Sequence, residues 1–186
     1  MKNIIIILFS VLLLFGCIGN EIQPDTNTGQ NQTNNTILFA QTGDLVTVDY
    51  VGYFDDGTVF DTSIKVIGQQ AGLAKSSYAP LQFLLGSGQM ISGFEAGIIG
   101  MKIEEEKTIH LTPDEAYGQI KQNLIMTFPL EMMPENISVG TILITEDNWK
   151  GKVINMTNET GTVDFNHEFA GKNLTFDILI VDIERE

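Results

Sequence analysis

The chain has 186 residues, enough for one or two small domains, and its 43% of hydrophobic residues is enough to form a core. It carries 24 acidic and 10 basic side chains, which gives a formal net charge of −14 at pH 7. Such a chain repels the phosphates of nucleic acids, and no basic cluster offsets this charge, so the composition excludes a nucleic-acid-binding protein. The single cysteine, Cys17, excludes an intramolecular disulfide.

Residues 1–19 have the layout of an export signal. Lys2 precedes an apolar run over residues 4–15 that is interrupted by one serine, and the small Gly16 stands directly before Cys17. The run is shorter than the about 20 apolar residues that a membrane-spanning helix needs. The tetrapeptide that ends at Cys17 resembles a lipobox, in which the cysteine is lipidated; the alternative is an uncleaved N-terminal anchor. Both interpretations predict an exported protein tethered to the outer face of the cell membrane.

Residues 20–36 are a polar tract rich in Asn, Gln and Thr, without apolar periodicity. Such a composition cannot bury enough apolar surface to offset the loss of chain entropy on folding. We therefore expect a disordered tether that separates the anchor from a folded part beginning near Ile37.

The folded part is predicted to be rich in strands. Val46, Val48 and Tyr50 alternate with polar residues, as in a strand with one buried face, and Asp56-Gly57 is a strong hairpin signal. Residues 64–80 are predicted to form a loop. Further strands are predicted over residues 81–85, 107–111, 123–128, 141–145, 152–156, 161–165 and 174–183.

Only two segments indicate helical turns. A short helix is predicted over residues 93–99, because its apolar residues recur at helical spacing. Thr112 begins a capping box that includes Glu115, which places Tyr117 on a short, defined turn. From this motif alone, Tyr117 is either a site residue or a packed core tyrosine.

Residues 119–171 differ from their surroundings, since they read as several short strands that interrupt the main domain before its last strand. We expect a small inserted β-rich domain there, with the main domain formed by residues 37–118 and 172–186. Methionines and one phenylalanine cluster near its start, and they suit either promiscuous apolar binding or the filling of a small core. These residues are Met126, Phe128, Met132 and Met133.

A spaced set of aromatic residues, with one carboxylate beside them, is the strongest functional signal. A group of aromatic side chains with one tyrosine hydroxyl and one carboxylate is poorly suited to hydrolysis, but it is well suited to binding a proline ring. This favours prolyl isomerisation or the binding of apolar peptides. The residues are Tyr50, Phe60, Asp61, Phe83, Phe94 and Tyr117.

Other chemistries have little support in the sequence. His110 and His167 are the only histidines, and no spacing resembles a set of metal ligands. The acidic run at residues 104–106 is typical of a solvated turn. No Ser-His or Cys-His pairing indicates nucleophilic catalysis. We expect neither a metal nor a cofactor.

Five segments, in the same order, resemble the FKBP-type peptidyl-prolyl cis-trans isomerases: Asp49–Gly52, Asp56–Asp61, Gly93–Glu95, Ala116–Gly118 and Leu174–Asp177. The resemblance covers about residues 43–186. It implies an α+β, mostly β fold, in which an antiparallel sheet wraps around a short helix. The arrangement is most similar to the SlyD subfamily, whose insert-in-flap domain grips unfolded chains, and residues 164–174 resemble the segment where that family's main domain resumes.

The resemblance also implies a pocket and roles for its members. Tyr117 Oη and the Ile91 N–H would donate hydrogen bonds to substrate carbonyls, and Asp61 would orient Tyr50, polarise a twisted amide or act as a structural acceptor. Phe94 stands where the family usually has Trp, and the loop over residues 64–80 is longer than in SlyD relatives. The rings and apolar side chains that would surround the proline are Phe60, Phe83, Met90, Ile91, Phe94 and Phe176.

The sequence thus predicts a monomeric peptidyl-prolyl cis-trans isomerase that assists the folding of exported proteins. Its partners would be unfolded or proline-containing chains, with chaperone activity from the inserted domain. The alternative is a surface-tethered holdase chaperone with little or no isomerase activity.

Overall fold

A computed structural model describes residues 37–185, which contain two α-helices and nine strands, the strands arranged in two antiparallel sheets. The elements are β1 (Leu45–Tyr53), β2 (Val59–Thr62), α1 (Lys65–Gln70), β3 (Leu81–Leu84), α2 (Ser92–Ile98), β4 (Glu106–Leu111), β5 (Ile125–Pro129), β6 (Ile142–Ile144), β7 (Lys150–Met156), β8 (Thr160–Asp164) and β9 (Leu174–Glu184). Short 3₁₀ turns span Pro113–Glu115, Gln122–Leu124 and Leu130–Met132. This architecture confirms the predicted mostly β fold class. The predicted export signal, the predicted polar tether and Cys17 lie outside the described residues.

Strand β1 organises the first sheet, whose order is β2-β1-β9-β4. One edge of β1 pairs with β9 along its whole length, and the other edge is shared by β3 near its start and β2 near its end. The alternation read from the sequence explains this position, since Val46 and Val48 are fully buried on the core face. The predicted Asp56-Gly57 hairpin turn is confirmed, with the Phe54 N–H donating to the Thr58 carbonyl at 3.0 Å.

Helix α2 covers this sheet and completes its core. Phe94 and Ile98 lie on the buried face of the helix, as their spacing predicts, and they pack with Val48, Leu174 and Ile180 of the sheet. Because α2 is anchored by buried side chains, the residues that flank it keep a fixed position beside the sheet.

The second sheet has the order β5-β8-β7-β6 and lies between β4 and β9 in sequence. Its small core contains the fully buried Val153 and the nearly buried Val163. The segments that enter and leave it are hydrogen-bonded to each other: the Gly171 N–H donates to the Gly118 carbonyl at 2.8 Å, and the Lys121 N–H donates to Asn166 Oδ1 at 2.8 Å. The chain therefore leaves and re-enters the first sheet at one place.

The region over residues 64–80, predicted to be loop throughout, contains helix α1. This helix is only six residues long and includes the weak helix former Gly68, so local propensity did not reveal it. Tertiary packing explains it, because the Tyr78 ring lies so close to Gly68 that any Cβ there would overlap the ring. Within residues 37–185, no helix has the length and apolar character of a membrane span.

Candidate active site

A cavity of about 590 Å³ opens between the first sheet, α2 and the turn after β4, a size typical of ligand pockets. Seven side chains predicted to act on the substrate line it, and so does Met90, predicted to contact the proline; the seven are Tyr50, Phe60, Asp61, Ile91, Phe94, Tyr117 and Phe176. The lining residues are Tyr50, Phe60, Asp61, Leu81, Gln89, Met90, Ile91, Phe94, Tyr117, Phe169 and Phe176.

Phe176 on β9 is at the centre of the aromatic packing. Its ring centroid lies 5.0 Å from that of Phe94 and 5.6 Å from that of Phe60, with the rings in edge-to-face arrangements. Tyr50 adds a third edge-to-face contact, at 6.2 Å from Phe94. Such contacts fix ring orientation beyond what area burial alone provides. The result is a preorganised apolar surface.

Gly52 on β1 makes room for these rings. It pairs with Phe176 of β9 and with Asp61 of β2, so that it lies between two strands that carry cavity residues. A Cβ at this position would lie 2.7 Å from the Phe60 ring and 2.9 Å from the Phe176 ring. The glycine therefore permits a close approach of both aromatic rings.

Asp61 accepts three hydrogen bonds from the protein. Tyr50 Oη donates to its Oδ2 at 2.7 Å, while the Thr62 N–H and Lys75 Nζ donate to its Oδ1 at 2.8 and 2.6 Å. Burial, together with the Asp61 charge, raises the pKa of Tyr50 well above its ordinary value, so Tyr50 stays protonated and continues to donate. Of the roles considered for Asp61, the orientation of Tyr50 and that of a structural acceptor both correspond to hydrogen bonds in the structure.

The loop before α2 is pinned by Glu95, a residue to which sequence reasoning assigned no role. Its nearly buried carboxylate accepts hydrogen bonds from the N–H groups of Gly88 and Met90, at 3.1 and 3.3 Å. This holds Met90 and Ile91 at the cavity. Within the described chain, no acceptor receives a hydrogen bond from the Ile91 N–H, which leaves this group free to donate to a ligand.

Tyr117 lies on the turn that the capping box predicts: the Glu115 carboxylate accepts the Thr112 N–H at 2.9 Å, although the turn is 3₁₀ rather than α-helical. Burial, and then the negative charges of Asp61 and Glu168, raise the pKa of Tyr117, so its hydroxyl stays protonated. No hydrogen bond among residues 37–185 uses this hydroxyl, so it too is free to donate to a ligand.

Two aromatic residues of the site were missed by the sequence reasoning. The Phe169 ring lines the cavity at 4.9 Å from Phe60, and the His167 ring stacks on Tyr117 at 4.0 Å. Both lie in the segment that returns from the second sheet. The resemblance marked this segment, but nothing in its local pattern indicates which of its side chains face the cavity.

Several predicted substrate-binding residues lie elsewhere. Phe83 is 2% exposed and its ring lies 6.0 Å from that of Phe94, so it supports the cavity wall instead of lining it. The other four belong to the region of the second sheet, where Met126 and Met132 are exposed while Phe128 and Met133 are half-buried. Among residues 37–185, no group of three or more His, Cys, Asp or Glu side chains is placed to hold a metal ion.

Comparisons with known proteins show the family of the chain. The sequence profile of the family described as FKBP-type peptidyl-prolyl cis-trans isomerase matches residues 38–180. The chain belongs to this family. A short-type peptidyl-prolyl cis-trans isomerase of Methanocaldococcus jannaschii is 39% identical over 147 residues, which cover 76% of this chain and 92% of the relative.

Two bacterial members are also similar. The FKBP-type isomerase SlyD of Aeromonas hydrophila is 32% identical over 143 residues, 75% of this chain and 62% of that protein. The FKBP-type 16 kDa isomerase of Escherichia coli strain K12 is 27% identical over 150 residues, 77% of this chain and 93% of that protein. The predicted enzyme class, peptidyl-prolyl cis-trans isomerase, is thereby confirmed at the level of the family.

Proposed function

We propose that this FKBP-type enzyme isomerises X-Pro bonds of exported proteins in the cavity described above. The observation that carries the proposal is the convergence of four rings, from Tyr50, Phe60, Phe94 and Phe176, on a space with two unused donors, the Tyr117 hydroxyl and the Ile91 N–H. Such a site holds a proline ring and the carbonyl groups next to it.

The chemistry requires no bond between protein and substrate. Amide resonance creates a barrier of about 18–20 kcal/mol to rotation, and the twisted amide at the top of this barrier has lost that resonance and much of its polarity. An apolar cavity therefore stabilises the twisted state more than the planar one, which is what lowers the barrier. The Tyr117 hydroxyl and the Ile91 N–H hold the substrate carbonyls on either side, and the Tyr50–Asp61 hydrogen bond keeps the cavity wall in place.

The test is an assay of a prolyl peptide and of a proline-limited refolding reaction with Phe60→Ala and Tyr117→Phe. Loss of a hydrogen bond of about 1–1.5 kcal/mol to the twisted state lowers kcat/KM by roughly tenfold. Tyr53→Phe removes a hydroxyl from β1 outside the cavity lining and serves as the matched control. Unchanged rates in both cavity variants would refute the proposal.

We also propose that residues 119–171 form a SlyD-like inserted domain that holds unfolded client chains. What supports this is the apolar surface that the region leaves exposed, above all Ile142 and Ile144 on one face of β6, since contiguous exposed apolar side chains mark a binding surface. Between 41% and 76% of each of the following residues is accessible: Met126, Met132, Val139, Ile142, Ile144, Trp149 and Ile154.

Substitutions on this surface separate the proposed function from the holdase alternative. Ile142→Ser combined with Ile144→Ser should weaken the suppression of client aggregation and slow the catalysed refolding of protein clients. The turnover of a short prolyl peptide should stay unchanged, because neither residue lines the cavity. A protein that suppresses aggregation but never turns over the peptide would be a holdase without isomerase activity.

We propose further that residues 1–36 tether a monomeric enzyme to the outer face of the cell membrane. The support is the apolar run before Cys17 and the polar tract after it. Cys17→Ser should abolish labelling by a fatty-acid precursor and release the protein from the membrane fraction. Retention of the protein in the membrane fraction without the fatty-acid label would instead indicate an uncleaved anchor. Sedimentation of the purified protein tests whether it is a monomer.

A further inference from the structure

One cation compensates the charge at the cavity. Among the lining residues of the described chain, Asp61 is the only carboxylate, and Lys75 Nζ lies 2.6 Å from its Oδ1. The same ammonium group donates to the Thr62 carbonyl at 2.8 Å. Lys75 belongs to the loop between α1 and β3, so a residue from outside the cavity walls neutralises the one acid in them.

The loop is folded so that it holds this lysine in place. The Tyr78 hydroxyl donates to the Leu73 carbonyl at 2.8 Å, and the Tyr78 ring packs against Gly68 of α1. Lys75 Nζ lies 5.6 Å from the centre of the Tyr78 ring and 5.9 Å from that of Tyr50, within the range of cation–π attraction. The ammonium group is thus positioned by a carboxylate, a carbonyl and two rings.

Stability is a weak explanation for the pair. The Lys75 and Asp61 side chains remain 31% and 42% exposed, and ion pairs exposed to this extent contribute little to folding. Their position matters more for a ligand. If a proline fills the cavity, a charged side chain on the adjacent residue lies within about 10 Å of Asp61, because consecutive Cα atoms are about 3.8 Å apart.

We propose that Lys75 is a specificity-determining residue, which cancels the Asp61 charge so that peptides with either an acidic or a basic residue before proline are accepted. Without the cation, the Asp61 charge would be uncompensated in a chain whose net charge is already −14, and it would repel acidic peptides. This inference rests on the proposed isomerase function of the same cavity.

The experiment compares two short peptides that differ only in Glu or Lys directly before proline, using the full-length protein. The quantity measured is the ratio of kcat/KM for the Lys peptide to kcat/KM for the Glu peptide. Lys75→Met and Lys75→Gln should raise this ratio by about threefold to tenfold at low salt, as expected for a unit charge at such distances in a partly aqueous site. High salt should reduce the shift.

Matched variants make the test independent of general losses in activity. Lys75→Arg should preserve the ratio, since it keeps the charge. Lys65→Met removes an exposed lysine of α1 and should also leave the ratio unchanged. Asp61→Asn should lower the ratio, and Asp61→Asn combined with Lys75→Met should return it close to the wild-type value.

Two results would overturn the inference while leaving the proposed function intact: a wild-type ratio in both neutral Lys75 variants, or an equal shift in Lys65→Met, which would show that only total charge matters. If the wild-type protein turns over neither peptide, the proposed function fails, and the inference fails with it.

Discussion

The ring of His167 lies flat on the ring of Tyr117, with centroids 4.0 Å apart and planes 5° from parallel. His167 is itself held by its own turn, because its Nδ1 accepts the Phe169 N–H at 3.2 Å. The Phe169 ring meets the Tyr117 ring edge-on at 5.4 Å. The segment that returns from the second sheet therefore restricts the motion of the tyrosine whose hydroxyl we expect to bind substrate.

Removal of this stacking ring should reduce catalysis through Tyr117. We expect His167→Ala to lower kcat/KM for a prolyl peptide by about threefold to tenfold, since an aromatic pair of this kind contributes about 0.5–1.5 kcal/mol. His167→Phe should retain most of the activity, because a phenyl ring can occupy the same stacked position. The measurement is peptide turnover at constant pH.

Two comparisons show whether His167 acts through Tyr117. His110, the other histidine of the chain, lies on β4 outside the cavity lining, and His110→Ala should leave turnover unchanged. In the Tyr117→Phe background, His167→Ala should have a much smaller effect than in the wild type. Full additivity of the two substitutions would contradict the positioning role.

Gly52→Ala should distort the cavity. The added methyl group would overlap the Phe60 and Phe176 rings, and overpacking of this kind costs about 1–3 kcal/mol. We expect reduced stability in chemical denaturation and a loss of peptide turnover that exceeds the loss of folded protein.

Gly161→Ala is the matched control for this substitution. Its Cβ would meet the end of the flexible Met133 side chain in the second sheet, which can move aside. Turnover of a short peptide should therefore be unchanged. A comparable loss of turnover in both glycine variants would argue against a local effect at Gly52.

Adjacent isoleucines at the end of α2 separate core packing from surface effects. Ile98 is fully buried, and Ile98→Ala should lower the free energy of unfolding by about 2–5 kcal/mol through lost burial and a cavity. Ile99 is 48% exposed, and Ile99→Ala should change that free energy by no more than about 0.5 kcal/mol. Denaturant unfolding of both variants measures the difference. Equal losses in the free energy of unfolding would show that Ile98 is not the more buried of the two isoleucines.

Asp44 should make the fold sensitive to acid. It is buried, and Arg185 Nε and Nη2 each donate to one of its oxygens at 2.7 Å. These hydrogen bonds hold the pKa of the Asp44 carboxyl below its ordinary value. A depressed pKa in the folded state means that the contribution to stability is present above about pH 4 and is lost as the pH falls through the folded-state pKa.

Thermal unfolding between pH 7 and pH 2 tests this prediction. Asp44→Asn should lower the Tm at pH 7 and make the fall in Tm below pH 4 shallower than in the wild type. The exposed Asp147→Asn should keep the acid dependence of the wild type. An identical acid dependence in Asp44→Asn would show that other carboxyl groups cause it.

The local pattern of the sequence determined those elements whose stability depends on nearby residues. Three local signals predict elements correctly, because each depends on a few consecutive residues. The alternation of Val46 and Val48 predicts β1, the Asp56-Gly57 turn predicts the hairpin, and the spacing of Phe94 and Ile98 predicts α2. The residue types and order of the aromatic side chains and Asp61 likewise indicate a site for a proline ring.

Tertiary structure alone decided which distant residues complete that site. Phe169 and His167 reach the cavity because the chain returns from the second sheet beside Gly118, and Lys75 reaches Asp61 because Tyr78 packs on Gly68 of a helix that propensity did not reveal. Phe83 turns inward because its position on β3 faces the core. These contacts join residues far apart in sequence, and local periodicity does not determine which distant side chains come into contact.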